Sequence, residues 1–199
     1  MTISIKQKRL SEEKRTLKRI PTDAEINSAL RELPECWQTV VARMALFGIR
    51  PHECWLGQIQ ADGTYMVHTG KTGRRIAVSF ELKARTDWLK MALGPLPVVT
   101  AHENRDYGSR LNKVFSRAGI NKDGGWSPYC LRHRWVALSA QLDVLDESVA
   151  AAAAGHSVAT RQKVYKRLIG EQQVLGSAQR CGLTFDINDF IQQQITDDF

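Results

Sequence analysis

Residues 127–165 read SPYCLRHRWVALSAQLDVLDESVAAAAAGHSVATRQKVY, and the spacing of polar and apolar residues there predicts three helical pieces. Ser127 before Pro128 is an N-cap with proline at the first helical position, so Tyr129, Arg132 and His133 fall at i, i+3 and i+4 on one face of a first turn. Leu131, Trp135, Leu138 and Leu142 recur at the helical period and make the buried side. The Tyr/Arg/His cluster is left as an edge facing something else. Asp146 opens an alanine-rich helix that Gly155 closes in the left-handed conformation, with His156 just past its end. Ser157 caps a last short helix carrying Arg161, Lys163, Tyr165, Lys166 and Arg167. Each feature alone has a plain structural reading: an arginine in a salt bridge, Gly-His as a helix C-cap, a tyrosine packed on an amphipathic face.

Taken together they resemble the C-terminal half of a tyrosine recombinase (phage integrase) catalytic domain. That family's pattern is a helix beginning His-x-x-Arg, then Gly-His, then a tyrosine nine residues on. Here Leu131-Arg132-His133 and Gly155-His156 match, and the interval to Tyr165 agrees, 165 − 156 = 9. The departure is Tyr129, which stands where the family usually has its first histidine.

The resemblance extends upstream. Thr22 and Glu25 form a capping box after Pro21, starting a helix with Ile26 and Leu30 on one side. A second helix from about Glu35 places Trp37, Val40, Val41, Met44 and Phe47 at helical spacing, and Gly48 ends it. The run Leu46-Phe47-Gly48-Ile49-Arg50-Pro51-His52-Glu53 resembles the family's Gly-Leu-Arg-x-x-Glu segment, whose arginine is the first of two that hold the scissile phosphate; Glu53 orients it. From about Gln58 to Phe80 the alternation predicts strands, with turns at Asp62-Gly63 and around Gly70 and Gly73. Lys71-Thr72-Gly73 resembles the Lys-Thr-Gly whose lysine reaches the active site on a hairpin. Arg74 and Arg75 beside it read equally as phosphate contacts or as edge-strand charges. Helices are expected over Arg85 to Leu93 and Asn104 to Ala118, the second burying Leu111, Val114 and Phe115. Its Arg105, Arg110, Lys113 and Arg117 can lie along DNA.

Composition agrees with an anionic partner. The 199 residues carry a net charge of +7 and 43% hydrophobic content, with a pI near 9.4; such a chain buries a core without disulfides, and the lack of a long apolar run favours nucleic acid over membrane. Cys36, Cys54, Cys130 and Cys181 have no Cys-x-x-Cys spacing and read as reduced thiols of a cytoplasmic protein, bacterial or phage-encoded, with no zinc site. Residues 1–20 read as a basic arm or linker; the resemblance implies that 21–182 are the catalytic domain and that 183–199 dock Phe185, Phe190 and Ile191 on a neighbouring protomer. The resemblance implies an N-terminal DNA-binding domain ahead of the arm, for which these 199 residues have no room, so the expectation is either a fragment of a longer protein or an unusually short member.

The chemistry suits the residue types. Attack on a phosphodiester needs charge neutralised on the non-bridging oxygens, a proton for the leaving sugar oxygen, and a nucleophile that loses one. Arg50 and Arg132 offer planar, permanently charged donors, with His156 as a further donor, Lys71 as the acid and Tyr165 as the nucleophile. No metal, cofactor or nucleotide is implied. The base is the open role: Tyr129 cannot accept a proton at neutral pH as imidazole does, and His133 on the same face is the substitute, its plain reading being a histidine packed between helices. The expectation is a mainly α protein with a small antiparallel β-sheet, acting as a site-specific recombinase on double-stranded DNA, as a tetramer, through a 3′-phosphotyrosyl intermediate. The alternatives are a DNA-binding or regulatory module of the same fold with weakened catalysis, and a type IB topoisomerase.

Overall fold

Thr22 sets the entry of the chain into its core. Its hydroxyl accepts the Glu25 N–H at 3.3 Å, and the Glu25 carboxylate accepts the Thr22 N–H at 2.9 Å. This reciprocal cap starts α1 (Asp23–Glu32), which buries Ile26, Ala29 and Leu30. The computed structural model describes residues 20–159, apart from 71, 72, 83, 123, 124, 143, 144, 146 and 156. The architecture is mainly helical with one three-stranded antiparallel sheet.

The central element is α2 (Glu35–Phe47), buried along its second half from Val40 to Phe47 except at Arg43. It packs against α3 (Thr86–Ala92) and α5 (Cys130–Gln141). Trp37, expected in the core, is only partly buried, edge-on to Trp55 with centroids 6.2 Å apart. Gly48 ends α2 at φ 60, and an added Cβ there would stand 2.4 Å from Trp135 Cγ. Both the left-handed conformation and the close approach of α5 therefore require glycine.

The strands are β1 (Gly57–Ile59), β2 (Tyr65–Val67) and β3 (Arg75–Ala77), in order 1-2-3, with Ile59 opposite Tyr65 and Val67 opposite Arg75. Both expected turns are present. Asp62 Oδ1 accepts the Thr64 N–H at 2.9 Å beside Gly63 at φ 80, and Gly73, at φ 86, donates its N–H to the Gly70 carbonyl at 3.0 Å. Tyr65 is fully buried, and its hydroxyl donates to the carbonyls of Glu53 and Cys54, 3.0 and 3.1 Å away. That contact fastens the sheet to the 3-10 turn Pro51–Cys54.

After α3, helix α4 (Asn104–Arg117) is pinned at its start by Asp106, whose carboxylate accepts the N–H groups of His102 and Glu103. It buries Leu111 and Phe115, the latter edge-on to Trp126. The start of α5 differs from expectation. Ser127 does begin the turn, its carbonyl accepting the Cys130 N–H at 2.8 Å, but its hydroxyl meets the Cys130 sulfur at 3.4 Å instead of capping a backbone N–H. The helix itself opens at Cys130. One feature was not foreseen: Arg134 grips both oxygens of Glu81 at 2.6 and 2.8 Å and Asp23 at 2.5 Å, while Arg85 also pairs with Asp23. Both guanidinium groups lie over the Trp88 ring. Because Asp23, Trp88 and Arg134 sit on α1, α3 and α5, this network ties the three helices at one end.

The last described helix, α6 (Glu147–Ala154), buries Ala150, Ala151, Ala153 and Ala154 and ends at Gly155 with φ 67. Among the described residues no helix is long and apolar enough to cross a membrane, and Cys36, Cys54 and Cys130 are free thiols. The basic arm, the helix expected to carry Arg161, Lys163 and Tyr165, and the segment with Phe185, Phe190 and Ile191 lie outside the described residues.

Gly48→Ala should lower stability by about 2–4 kcal/mol, since it combines a disfavoured φ with overpacking against Trp135. Thr22→Ala, which removes only the cap, should cost about 1 kcal/mol. Urea unfolding monitored by tryptophan fluorescence measures both, and a Gly48→Ala loss no larger than that of Thr22→Ala would show that Trp135 does not abut Gly48.

Candidate active site

Arg50 follows the left-handed Gly48 and the buried Ile49, and Pro51 begins the 3-10 turn immediately after it. Three residues suffice to bring Glu53 back: its Oε2 accepts the Arg50 backbone N–H at 2.7 Å and its Oε1 accepts Arg50 Nη1 at 2.7 Å. The same carboxylate, 0% exposed, is gripped from β3 by Arg75, with Nη1 to Oε1 at 2.9 Å and Nη2 to Oε2 at 2.7 Å. This is the fork-to-fork arrangement that makes arginine–carboxylate pairs strong. Burial alone would raise the Glu53 pKa, but the hydrogen bonds and charges of Arg75 and then Arg50 outweigh it and hold the carboxyl below its usual range.

Arg132 joins the cluster from the first turn of α5. It is 3% exposed; Nη1 donates to the Gly48 carbonyl at 2.7 Å and Nη2 to the Ala154 carbonyl. Arg50 Nη2 donates to the Gly155 carbonyl at 2.8 Å, and Arg75 Nε to the Ala153 carbonyl at 3.1 Å. Three consecutive carbonyls at the end of α6 thus each accept from a different arginine. A helix leaves such carbonyls unpaired and carries partial negative charge there, so the C-terminal ends of α2 and α6 are the partners that offset the burial of Arg132. Burial, followed by the charge of Arg50, brings the Arg132 pKa down to about 10, and the group stays cationic at neutral pH.

Two glycines are fitted to this cluster. A Cβ on Gly155 would stand 2.6 Å from Arg75 Nε, and one on Gly70 would stand 3.0 Å from Glu53 Oε1. The hairpin residue before Lys71 therefore lies against the same carboxylate. His52 is 9% exposed, and its Nε2 has no hydrogen-bond partner among the described residues. Burial pushes its pKa down; Glu53 opposes this, while Arg50, Arg75 and Arg132 reinforce it, so the imidazole is neutral at pH 7.

The structure brings Arg50, Glu53 and Arg132 together, and puts Tyr129 at the residue preceding α5. Tyr129 is 38% exposed, its ring edge-on to His133 with centroids 5.3 Å apart. Arg75 does not stand as a phosphate contact or an edge charge: its side chain is 7% exposed and its fork is committed to Glu53. Arg74 is exposed, with Nε 3.4 Å from Met66 Sδ. Arg105, Arg110, Lys113 and Arg117 are exposed on α4, Arg105 in a surface pair with Glu103 at 2.9 Å. Lys71, His156, Arg161, Lys163 and Tyr165 lie outside the described residues. Sequence reasoning missed the buried His52 and the place of Arg75; the signal available for Arg75 was an apolar strand that begins with an arginine, two residues after a turn glycine. Among the described residues no group of three or more His, Cys, Asp and Glu side chains converges to hold a metal ion.

No protein-family model matches the chain. Excisase C of Nostoc sp. (strain PCC 7120 / SAG 25.82 / UTEX 2576) is 27% identical over 157 residues, covering 68% of this chain and 30% of that protein. The crystal structure of XerA recombinase superposes with a TM-score of 0.50 at 18% identity, covering 79% of this chain and 64% of that one. The XerH site-specific recombinase bound to its palindromic difH substrate, a post-cleavage complex, gives 0.45 at 17% identity, with 71% and 46% covered. The chain spans less than two thirds of the length of each. The likeness to XerA shows the fold alone, a mainly helical architecture with a small antiparallel sheet shared with that recombinase.

The cluster makes stability depend on pH. Glu53 has a folded pKa below its unfolded value, so its stabilisation is whole above about pH 4.5 and is lost as the pH falls through the folded value. His52 acts in the same direction from a higher start: the unfolded imidazole takes its proton near pH 6.5 while the buried one resists, so stability already declines below that pH. Unfolding titrations from pH 8 to 3 should show His52→Gln flattening the upper part of this decline. Glu53→Gln should flatten the lower part, at a loss on the order of 3–5 kcal/mol at neutral pH because Arg75 is left buried without its counter-charge. Variant and wild-type profiles that run parallel throughout would contradict these assignments.

Proposed function

We propose that this chain is the catalytic part of a site-specific DNA recombinase that cuts and rejoins strands through a 3′-phosphotyrosyl intermediate. The observation that carries the reading is an excess of buried positive charge. Among the described residues, three guanidinium groups face one carboxylate, +3 − 1 = +2, and Arg50 and Arg132 each keep N–H donors with no partner there. Buried charge is tolerated when it is paired, and a phosphodiester supplies the missing negative charge in a shape that guanidinium matches. The fold and the likeness to an excisase support the same reading.

In this mechanism the Tyr165 hydroxyl gives its proton to a base, for which His133 on the Tyr129 face is the candidate. Its oxygen attacks phosphorus, the bond from phosphorus to the 5′ sugar oxygen breaks, and the 3′ phosphate is left on the tyrosine. Arg50, Arg132 and His156 neutralise the non-bridging oxygens as charge accumulates. Lys71 gives the leaving oxygen its proton. The phosphoester keeps the energy of the broken bond, so a second DNA hydroxyl displaces the tyrosine and reseals the strand. Double-stranded DNA lies along the α4 face with Arg105, Arg110, Lys113 and Arg117, with Arg74, Arg161 and Lys163 as further phosphate contacts. Assembly is a tetramer on DNA, with residues 183–199 docking between protomers. A second reading, a DNA-binding member with weakened catalysis, is favoured by Tyr129, an exposed phenol where a histidine would take the nucleophile's proton.

Covalent capture separates the two. Incubation with nicked duplexes of randomised sequence, followed by denaturation, should leave DNA attached to the wild-type protein and none to Tyr165→Phe. Absence of adduct from wild type that binds the same duplexes would favour the weakened member. Tyr129→His should raise the capture rate, by about tenfold or more if the base is what limits the reaction; an unchanged or lower rate would show that Tyr129 is not the deficit.

A further inference from the structure

The geometry points to Arg75 as a positioning residue for cleavage, acting through Glu53 on Arg50 and on the end of α6 at Gly155. This deepens the recombinase reading and rests on it. Three separate pieces of the candidate site are defined by contacts to this one side chain. Its fork holds both Glu53 oxygens, the same oxygens that accept from Arg50 Nη1 and from the Arg50 backbone N–H. Its Nε holds the Ala153 carbonyl, next to the carbonyls taken by Arg132 and Arg50. Its stem passes so close to Gly155 that a Cβ there would meet Nε at 2.6 Å and Cδ at 3.0 Å. On the hairpin side, a Cβ on Gly70 would come within 3.4 Å of Arg75 Nη1, so the turn that leads into Lys71 rests against the same group.

An arginine with these commitments has no fork left for DNA. It acts instead as the common reference that sets where Arg50 points, where α6 ends and where the hairpin begins. Lysine cannot replace it, because one ammonium cannot make two parallel bonds to a carboxylate and a third to a carbonyl on the other side. The expected signature is a loss in the chemical step with DNA affinity preserved, the opposite of what an exposed phosphate contact gives.

The test uses the full-length chain as wild type, Arg75→Lys and Arg75→Ala, with Arg110→Ala as the exposed basic comparison. Arginine side-chain and backbone NMR spectra of the free protein should show the Arg50 Nε–H and Gly155 N–H signals moved or broadened in both Arg75 variants and in place in Arg110→Ala. Binding of a randomised duplex by the Arg75 variants should stay within about threefold of wild type with the same salt slope, whereas Arg110→Ala should lower that slope by about one. Covalent capture at saturating duplex should fall at least about tenfold in Arg75→Lys. Unmoved Arg50 and Gly155 signals in folded Arg75→Lys, or a salt slope lowered as in Arg110→Ala, would overturn the assignment. So would wild-type capture rates in Arg75→Lys. If wild type itself captures no DNA, the enzyme reading fails, and the spectra and salt slopes still decide whether Arg75 positions Arg50 or contacts phosphate.

Discussion

Everything in the described site is referred to one carboxylate. Glu53 is fully buried and bound by two arginines from different segments, an arrangement that survives in a protein interior only because both oxygens are satisfied. Its position in turn depends on a left-handed glycine three residues before the 3-10 turn, on Pro51, and on the Tyr65 hydroxyl that holds the Glu53 carbonyl to the sheet. Helix, turn and hairpin therefore meet at a side chain that touches no solvent. The charge it neutralises is less than the charge around it: one carboxylate lies among three guanidinium groups.

The helix ends complete the arrangement. Arg132 has no carboxylate of its own among the described residues; its guanidinium bridges the Gly48 carbonyl at the end of α2 and the Ala154 carbonyl at the end of α6. Carbonyls of this kind stabilise a cation without consuming its charge, as a paired carboxylate would. Arg132 is thus fixed between two helix ends while keeping its full charge, the kind of preorganised cation that the proposed phosphoryl chemistry would use. The alanine run of α6 fits the same need, since small side chains at Ala153 and Ala154 let backbone carbonyls come within hydrogen-bond reach of long arginine stems.

Much of this was legible in the sequence. The Thr22 to Glu25 cap, the apolar spacing of α2, the glycine turns and the closing Gly155 follow from local rules, and the structure contains them. Arg50 and Arg132 were singled out by resemblance, and their guanidinium groups donate to the adjacent carbonyls of Gly155 and Ala154. What local rules could not supply was the third arginine: Arg75 is chemically identical to the exposed Arg74 beside it, and only strand alternation opposite Val67 decides which of the two turns inward. The Asp23, Glu81, Arg85 and Arg134 network was hidden for the same reason, because its members are far apart in the chain and each looks like a surface charge. Ser127 illustrates the converse. Its residue type is right for a cap, yet the helix starts only at Cys130, with Tyr129 in the cap position, and the Ser127 hydroxyl meets the Cys130 sulfur instead.

The central claim is that this buried cationic cluster exists to hold a DNA phosphate for attack by Tyr165. Its most direct test is mass spectrometry of the protein after reaction with nicked duplex and nuclease trimming. The account predicts a nucleotide phosphate on the peptide containing Tyr165, in wild type and not in Arg132→Ala. A nucleotide on any other residue, or an undiminished Tyr165 adduct in folded Arg132→Ala, would contradict it.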